Sequence, residues 1–91
     1  MDFEWDEDKD QANIRKHGIS FRIARRIFDG SVLTWLDERR NYGEKRYVSI
    51  GQVVPAVLVV VAHTSREGRT RLISARPASR KERQAYYEQI R

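Results

Sequence analysis

Cysteine is absent, so neither disulfides nor thiolate chemistry can contribute, and a reducing compartment fits the composition. Only two prolines and five glycines occur, and 40% of the residues are hydrophobic against 34% charged, which excludes a disordered or low-complexity chain. No apolar run approaches the roughly 18–20 residues that a membrane span needs. The opening MDFEWDEDKD is the acidic opposite of a signal peptide, and a cytoplasmic location with no membrane contact is expected. At 91 residues the chain has room for a single domain, 1–91, with one modest core.

Charge is abundant and unevenly placed. Eighteen bases stand against thirteen acids, yet the first ten residues hold six acids and one base. Fourteen of the bases are arginine, whose planar fork suits phosphate or carboxylate and stacks on nucleobases. An anionic partner, most simply nucleic acid, is one reading. Arginine substituted for lysine on a solvated face is the other.

Local patterning predicts an α+β fold. Asp2 to Trp5 alternates as a short strand, and Asp6 caps a helix running to about His17, with acids in its first turns, bases in its last and Gly18 as the stop. Ser20 caps a second helix whose Phe21, Ala24, Ile27 and Phe28 share a face and which ends at Asp29-Gly30. Val32 to Leu36 reads as a strand and Asp37 to Gly43 as a loop. Lys45 to Ile50 is a strand, Gly51-Gln52 a turn, Val53 to Ala62 a central apolar strand and Arg69 to Arg76 the last one, after a turn at Arg66-Glu67-Gly68. Ser79 to Glu82 fits a capping box opening a C-terminal helix with Ala85, Tyr86 and Ile90. The predicted order is a short N-terminal strand, two helices covering one face of a four-stranded antiparallel sheet, and a C-terminal helix.

Several chemistries find no support. Neither phosphate-binding glycine motif is present, His17 and His63 lack metal-ligand spacing, and no nucleophile elbow appears, so no cofactor or metal is expected. What remains is basic and lies on the strands. If the helices cover the Ile73 and Ala75 side of the last strand, Ser74 and Arg76 look out of the other. Lys45, Tyr47 and Ser49 form a polar row, with Arg46 leading the opposite row of Val48 and Ile50. His63 ends the apolar strand. Such a surface could grip a phosphodiester and cut RNA without metal, the 2′-OH attacking phosphorus while an acid, a base and cations serve the transition state. His63 is the natural titratable group, although a strand-end histidine satisfied by a carbonyl would look the same. His17 reads more simply as a helix-end charge partner. A salt bridge to Glu82 or Glu44 is the structural alternative for Arg76. Trp5 and Trp35 read as core anchors, and one of Tyr86 and Tyr87 as core.

Phe3-Glu4-Trp5-Asp6, Lys9, Asn13, Lys16-His17-Gly18-Ile19 and Phe21 at this spacing resemble the N-terminal signature of BrnT-type toxins. Glu44-x-Arg46, His63-Thr64, Arg71-x-Ile73-Ser74-Ala75-Arg76 and Glu82-Arg83 resemble the same family, so the likeness spans nearly the whole chain, with Pro77 the departure. The resemblance implies a bacterial type II toxin–antitoxin toxin of RelE-like fold, a ribonuclease that arrests translation. It also implies neutralisation by a BrnA-type antitoxin with a ribbon-helix-helix DNA-binding domain, operator DNA being met only through that complex. Onto this sequence it carries His63, Arg76, Arg46 and Glu82, taken as catalytic residues, and Arg71, Arg83 and Tyr86, taken as RNA contacts, to which the polar row adds Lys45. An antitoxin that silences such a site is expected to overlap or flank its arginines. The competing readings are a non-catalytic basic binding module, which would bind with steep salt dependence but not cleave, and a DNA-binding repressor, for which no recognition-helix unit is present.

Overall fold

Helix boundaries follow from the capping residues. In the computed structural model, which describes residues 1–90, β1 (Phe3–Glu4) leads into α1 (Glu7–His17), where Asp6 accepts the Lys9 N–H at 3.1 Å and Gly18, at φ 72°, returns its N–H to the Ile14 carbonyl. Ser20 caps α2 (Phe21–Ala24) through the Ile23 N–H. The second helix is shorter than its apolar face suggests. After Ala24 the chain tightens into a 3₁₀ turn, Arg25–Asp29.

β2 (Leu33–Leu36), β3 (Arg46–Val54), β4 (Val57–Arg66) and β5 (Arg69–Pro77) form the antiparallel sheet foreseen from the sequence, but β1 joins it. The order is β1-β5-β4-β3-β2, a five-stranded mixed sheet with β1 parallel to β5. Beyond β1 the edge of β5 is closed by a side chain: Asn13 donates to the Ala75 carbonyl at 2.9 Å and accepts the Ala75 N–H at 3.1 Å, imitating a strand while fixing α1 to the sheet.

The expected turn at Gly51-Gln52 is not there. Both residues lie inside β3, and the reversal falls at Pro55-Ala56, with Ala56 at φ 68° and its N–H held by the Gln52 side chain. Gly51 marks a close approach instead. A Cβ there would stand 2.7 Å from the Ile27 Cβ and 3.1 Å from the Ile27 carbonyl oxygen. The β4–β5 turn reads correctly, Glu67 and Gly68 both taking positive φ.

The sheet has two different faces. On one, Val59, Val61, Leu72 and Ala75 pack against Phe21, Ala24 and Ile27. Leu72 takes the place expected for Ile73 because the β4–β5 register slips between Ala62 and His63, so a bulge inverts the alternation. On the other, Val48, Ile50, Leu58 and Val60 pack against Tyr86 of α3 (Arg80–Gln89). α3 opens on the predicted capping box, Ser79 and Glu82 exchanging bonds with each other's N–H groups. Among the described residues no helix is long and apolar enough to cross a membrane.

Candidate active site

α3 covers one end of its face and leaves the rest open as a cleft of about 580 Å³. The strand register defines the floor: Trp35, Val48, Ala62 and Ser74 lie in one row across β2, β3, β4 and β5. One row toward α3, Arg76 stands opposite Val60. One row the other way, Arg46, Thr64, Arg71 and Glu4 follow one another across four strands. Strand spacing of ~4.8 Å puts Arg46 and Arg71, two strands apart, about 10 Å from each other at the backbone. The loop after β2 contributes Asp37, Glu38 and Arg39 to the rim.

Every arginine here is held by a carboxylate. Arg76 donates from both terminal nitrogens to Glu82, at 2.7 and 2.8 Å, and Glu82 also accepts the Ser79 N–H at 2.8 Å. Those bonds, the Arg76 fork above all, pull the Glu82 carboxyl down to about 2 and raise Arg76. Glu82 is therefore a weak proton acceptor whose work is to aim a guanidinium. Its fork and a longer bond to the Pro77 carbonyl engage three of the five Arg76 N–H groups, which leaves two free to meet a phosphate.

Arg39 repeats the arrangement across the cleft. Asp37, buried, accepts from Arg39 at 2.9 Å on each oxygen and from the Tyr42 hydroxyl at 3.1 Å, bonds that hold its carboxyl far below the usual range. Arg39 lies close enough to Arg76 for its charge to oppose that of the other guanidinium. Arg46 bonds Glu44 at 3.2 Å and lies 4.1 Å over the Tyr42 ring, and Arg71 bonds Glu4 at 2.7 Å. Trp35 is 41% exposed at the floor, a flat apolar surface open to a base.

The family model described as ribonuclease toxin, BrnT, of type II toxin-antitoxin system matches residues 5–82. The chain belongs to this family of ribonuclease toxins. Among solved structures, the 1.1 Å crystal structure of the Brucella abortus ribonuclease toxin BrnT is similar, with a TM-score of 0.65 and 25% identity over 88% of this chain and 99% of that one. No curated protein matches. Membership in a type II system implies an antitoxin partner.

The site residues expected from the sequence divide between the two faces. Arg46, Arg71, Arg76 and Glu82 share the cleft face. Lys45 precedes β3, exposed, its carbonyl accepting the Thr64 hydroxyl at 2.7 Å, and Arg83 is exposed near Ala56 at the hairpin tip. His63 is on the other face. It pairs across the sheet with Tyr47 and Leu72, stacks on the Tyr47 ring, meets the Phe28 ring edge-on at 5.1 Å, and bonds the buried Ser49 hydroxyl at 2.7 Å. Burial there lowers its pKa. One surface carrying both His63 and Arg76, as the sequence suggested, does not form: Arg76 stands opposite Val60, and Val60 and His63, three residues apart on β4, point to opposite sides of the sheet. Tyr86 is corrected too: it is 2% exposed in the core, its hydroxyl on the Ser31 carbonyl at 2.9 Å, so it has no free face for a base. Trp35, taken for core, is the aromatic that reaches the cleft, and Asp37, Glu38, Arg39 and Tyr42 were missed. The signal for Trp35 was its parity with Leu33 on a strand too short to bury both.

Proposed function

We propose that the chain is a metal-independent endoribonuclease that inhibits translation, that its RNA site is the cleft on the α3 face, and that a BrnA-type antitoxin neutralises it. The reading rests on one observation: Arg46, Arg71 and Arg76 lie on a single sheet face with an accessible Trp35, and Arg39 joins them from the loop at the cleft rim. A base stacks on Trp35, and the adjoining phosphate meets the free N–H groups of Arg76 and Arg39. The 2′-OH then attacks phosphorus, the 5′-oxygen departs with a proton, and a 2′,3′-cyclic phosphate remains. The guanidiniums are pre-aimed by Glu82 and Asp37, so they stabilise the phosphorane oxygens without reorganising during the reaction. Glu38 is the one acid of the cleft lining outside an ion pair among the described residues, and it is assigned the proton of the 2′-OH.

The test is RNA cleavage by purified wild type, Arg76→Ala, Trp35→Ala and Glu38→Gln, with and without ribosomes, and end-mapping of the products. Cyclic-phosphate ends from wild type are expected, with at least a 100-fold loss in Arg76→Ala, about 10-fold weaker RNA binding in Trp35→Ala and slower cleavage at unchanged affinity in Glu38→Gln. Wild type that binds RNA but leaves it intact under both conditions would establish the non-catalytic module instead.

A further inference from the structure

The chain's unbalanced charge does not lie at the cleft. Residues 11–28 hold five bases, Arg15, Lys16, Arg22, Arg25 and Arg26, and no acid, while the rest of the chain holds thirteen of each. The formal net charge of +5 therefore equals the charge of this one stretch, from the middle of α1 to Phe28 in the 3₁₀ turn, with Asp10 and Asp29 at its borders. Among the described residues none of these five joins a salt bridge, whereas each cleft arginine does.

The same segment forms one wall of a second depression, about 370 Å³, on the face of the sheet turned away from the cleft. Ile14, Ile19 and Ile23 face Val53, Val57 and Val59 across it. No acid lines it, and Ile14, Ile23 and Val57 stay 36, 38 and 46% exposed although each is strongly apolar. Arg15 and Arg22 adjoin Ile14 and Ile23, and Arg26 follows one turn beyond Ile23, so the apolar strip has a cationic border. An apolar strip bordered by unpaired cations is complementary to an amphipathic segment with carboxylates along its flanks.

We propose that this groove is the docking site of the antitoxin, which presents such an acidic amphipathic segment to it. The inference rests on the toxin–antitoxin reading above. It changes the expectation that the antitoxin overlaps or flanks the site arginines, since each of those already has a carboxylate partner. Toxin recognition and RNA cleavage then use opposite faces and can be separated by mutation.

The antitoxin of the chain's own module serves as the probe, in calorimetric titrations at two salt concentrations beside RNA cleavage. Ile23→Asp and Val57→Asp, exposed enough to be tolerated by the fold, are expected to weaken binding roughly 10- to 100-fold while cleaving RNA as wild type does. The double charge reversal Arg22→Glu, Arg26→Glu is expected to weaken it roughly 10-fold and to flatten its salt dependence, and Arg76→Ala to bind normally. Antitoxin binding within twofold of wild type for all three groove proteins overturns the proposal. So does loss of RNA binding in the charge reversal with antitoxin binding intact, which would assign the basic segment to nucleic acid. A wild-type chain that binds antitoxin through the groove but cuts no RNA leaves this inference standing and removes the nuclease assignment, so the two failures are distinct.

Discussion

Removing the charge of Glu82 while keeping its shape tests how firmly the site arginine is held. Glu82→Gln retains an oxygen for the Ser79 N–H but replaces a charge-assisted fork on Arg76 with at most one neutral bond. Bringing a carboxyl from 4.5 down to about 2 corresponds to an upper bound of about 3 kcal/mol at neutral pH. Arg76 is 43% exposed and Glu82 21%, so water screens the pair and about 1–2 kcal/mol is the reasonable expectation. The sign follows from protons. Between pH 4.5 and 2 the unfolded carboxyl is protonated and the folded one is not, so this stabilisation is complete above pH 4.5 and is lost as pH falls toward 2. Urea unfolding of both proteins from pH 6 to 2.5 measures it. Wild type should lead by about 1–2 kcal/mol at pH 6, a Tm gap of roughly 4–8 °C per kcal/mol, and the gap should close through the acid range. Asp37 and Glu44, also lowered by arginine partners, act equally in both proteins and cancel in the difference. A gap that is absent at pH 6, or that persists unchanged to pH 2.5, refutes the reasoning.

Gly51→Ala should cost about 1–3 kcal/mol in denaturant unfolding, because its Cβ meets the Ile27 Cβ at 2.7 Å and a strand pinned under a 3₁₀ turn has little room to move; a neutral result would show that the turn yields. Ala56→Gly, relieving a positive φ in the β3–β4 turn, should raise stability by about 0.5–1 kcal/mol in the same assay. His63→Ala should lower stability by roughly 1–2 kcal/mol through lost packing and the Ser49 bond, yet leave cleavage per folded molecule within a few-fold of wild type; a stable variant with cleavage gone would put His63 in the chemistry. Its pKa, lowered by burial, adds a decline in wild-type stability as pH falls below 6.5, where the unfolded histidine protonates first, and that decline should vanish in His63→Ala.

Local signals in this sequence were legible and long-range ones were not. Asp6, Gly18, Ser20 and the Ser79–Glu82 box act within four residues, and each is found where the chain spells it. The hairpin at Pro55-Ala56 was missed because alanine carries no mark of a positive φ, while Gly51 carried a glycine's mark for a different reason, contact with Ile27. The bulge opposite Ala62 undid the alternation used to aim Ile73, since one inserted residue flips every assignment on one side of it. β1 has two residues and no pattern naming a partner. At the site, Arg76 could be read from strand parity and Glu82 stood as one of its two possible partners, whereas parity set Arg46 in an apolar row opposite Tyr47 and Ser49, and it is that row that faces the cleft. Arg39 and Tyr42 lie on an irregular loop, where position depends on Asp37 gathering four donors from these two neighbours, a geometry no periodicity encodes.

Compensating every cleft arginine decides how RNA must bind there. A phosphate approaching Arg76 competes with a carboxylate already at 2.7 Å, so the gain is a difference between two ion pairs and far below that of a free guanidinium. Affinity at the cleft then depends on stacking and on donors left over from the Glu82 fork, and its salt dependence should be shallower than four phosphate contacts would give. The long-range field, in contrast, has its excess in residues 11–28 on the opposite face, a stretch that holds five bases and no acid of its own. A polyanion is drawn first to the side that does not cut. A partner whose carboxylates cover that side removes the attraction as well as filling the groove, so one docking event would lower RNA capture without a single contact inside the cleft.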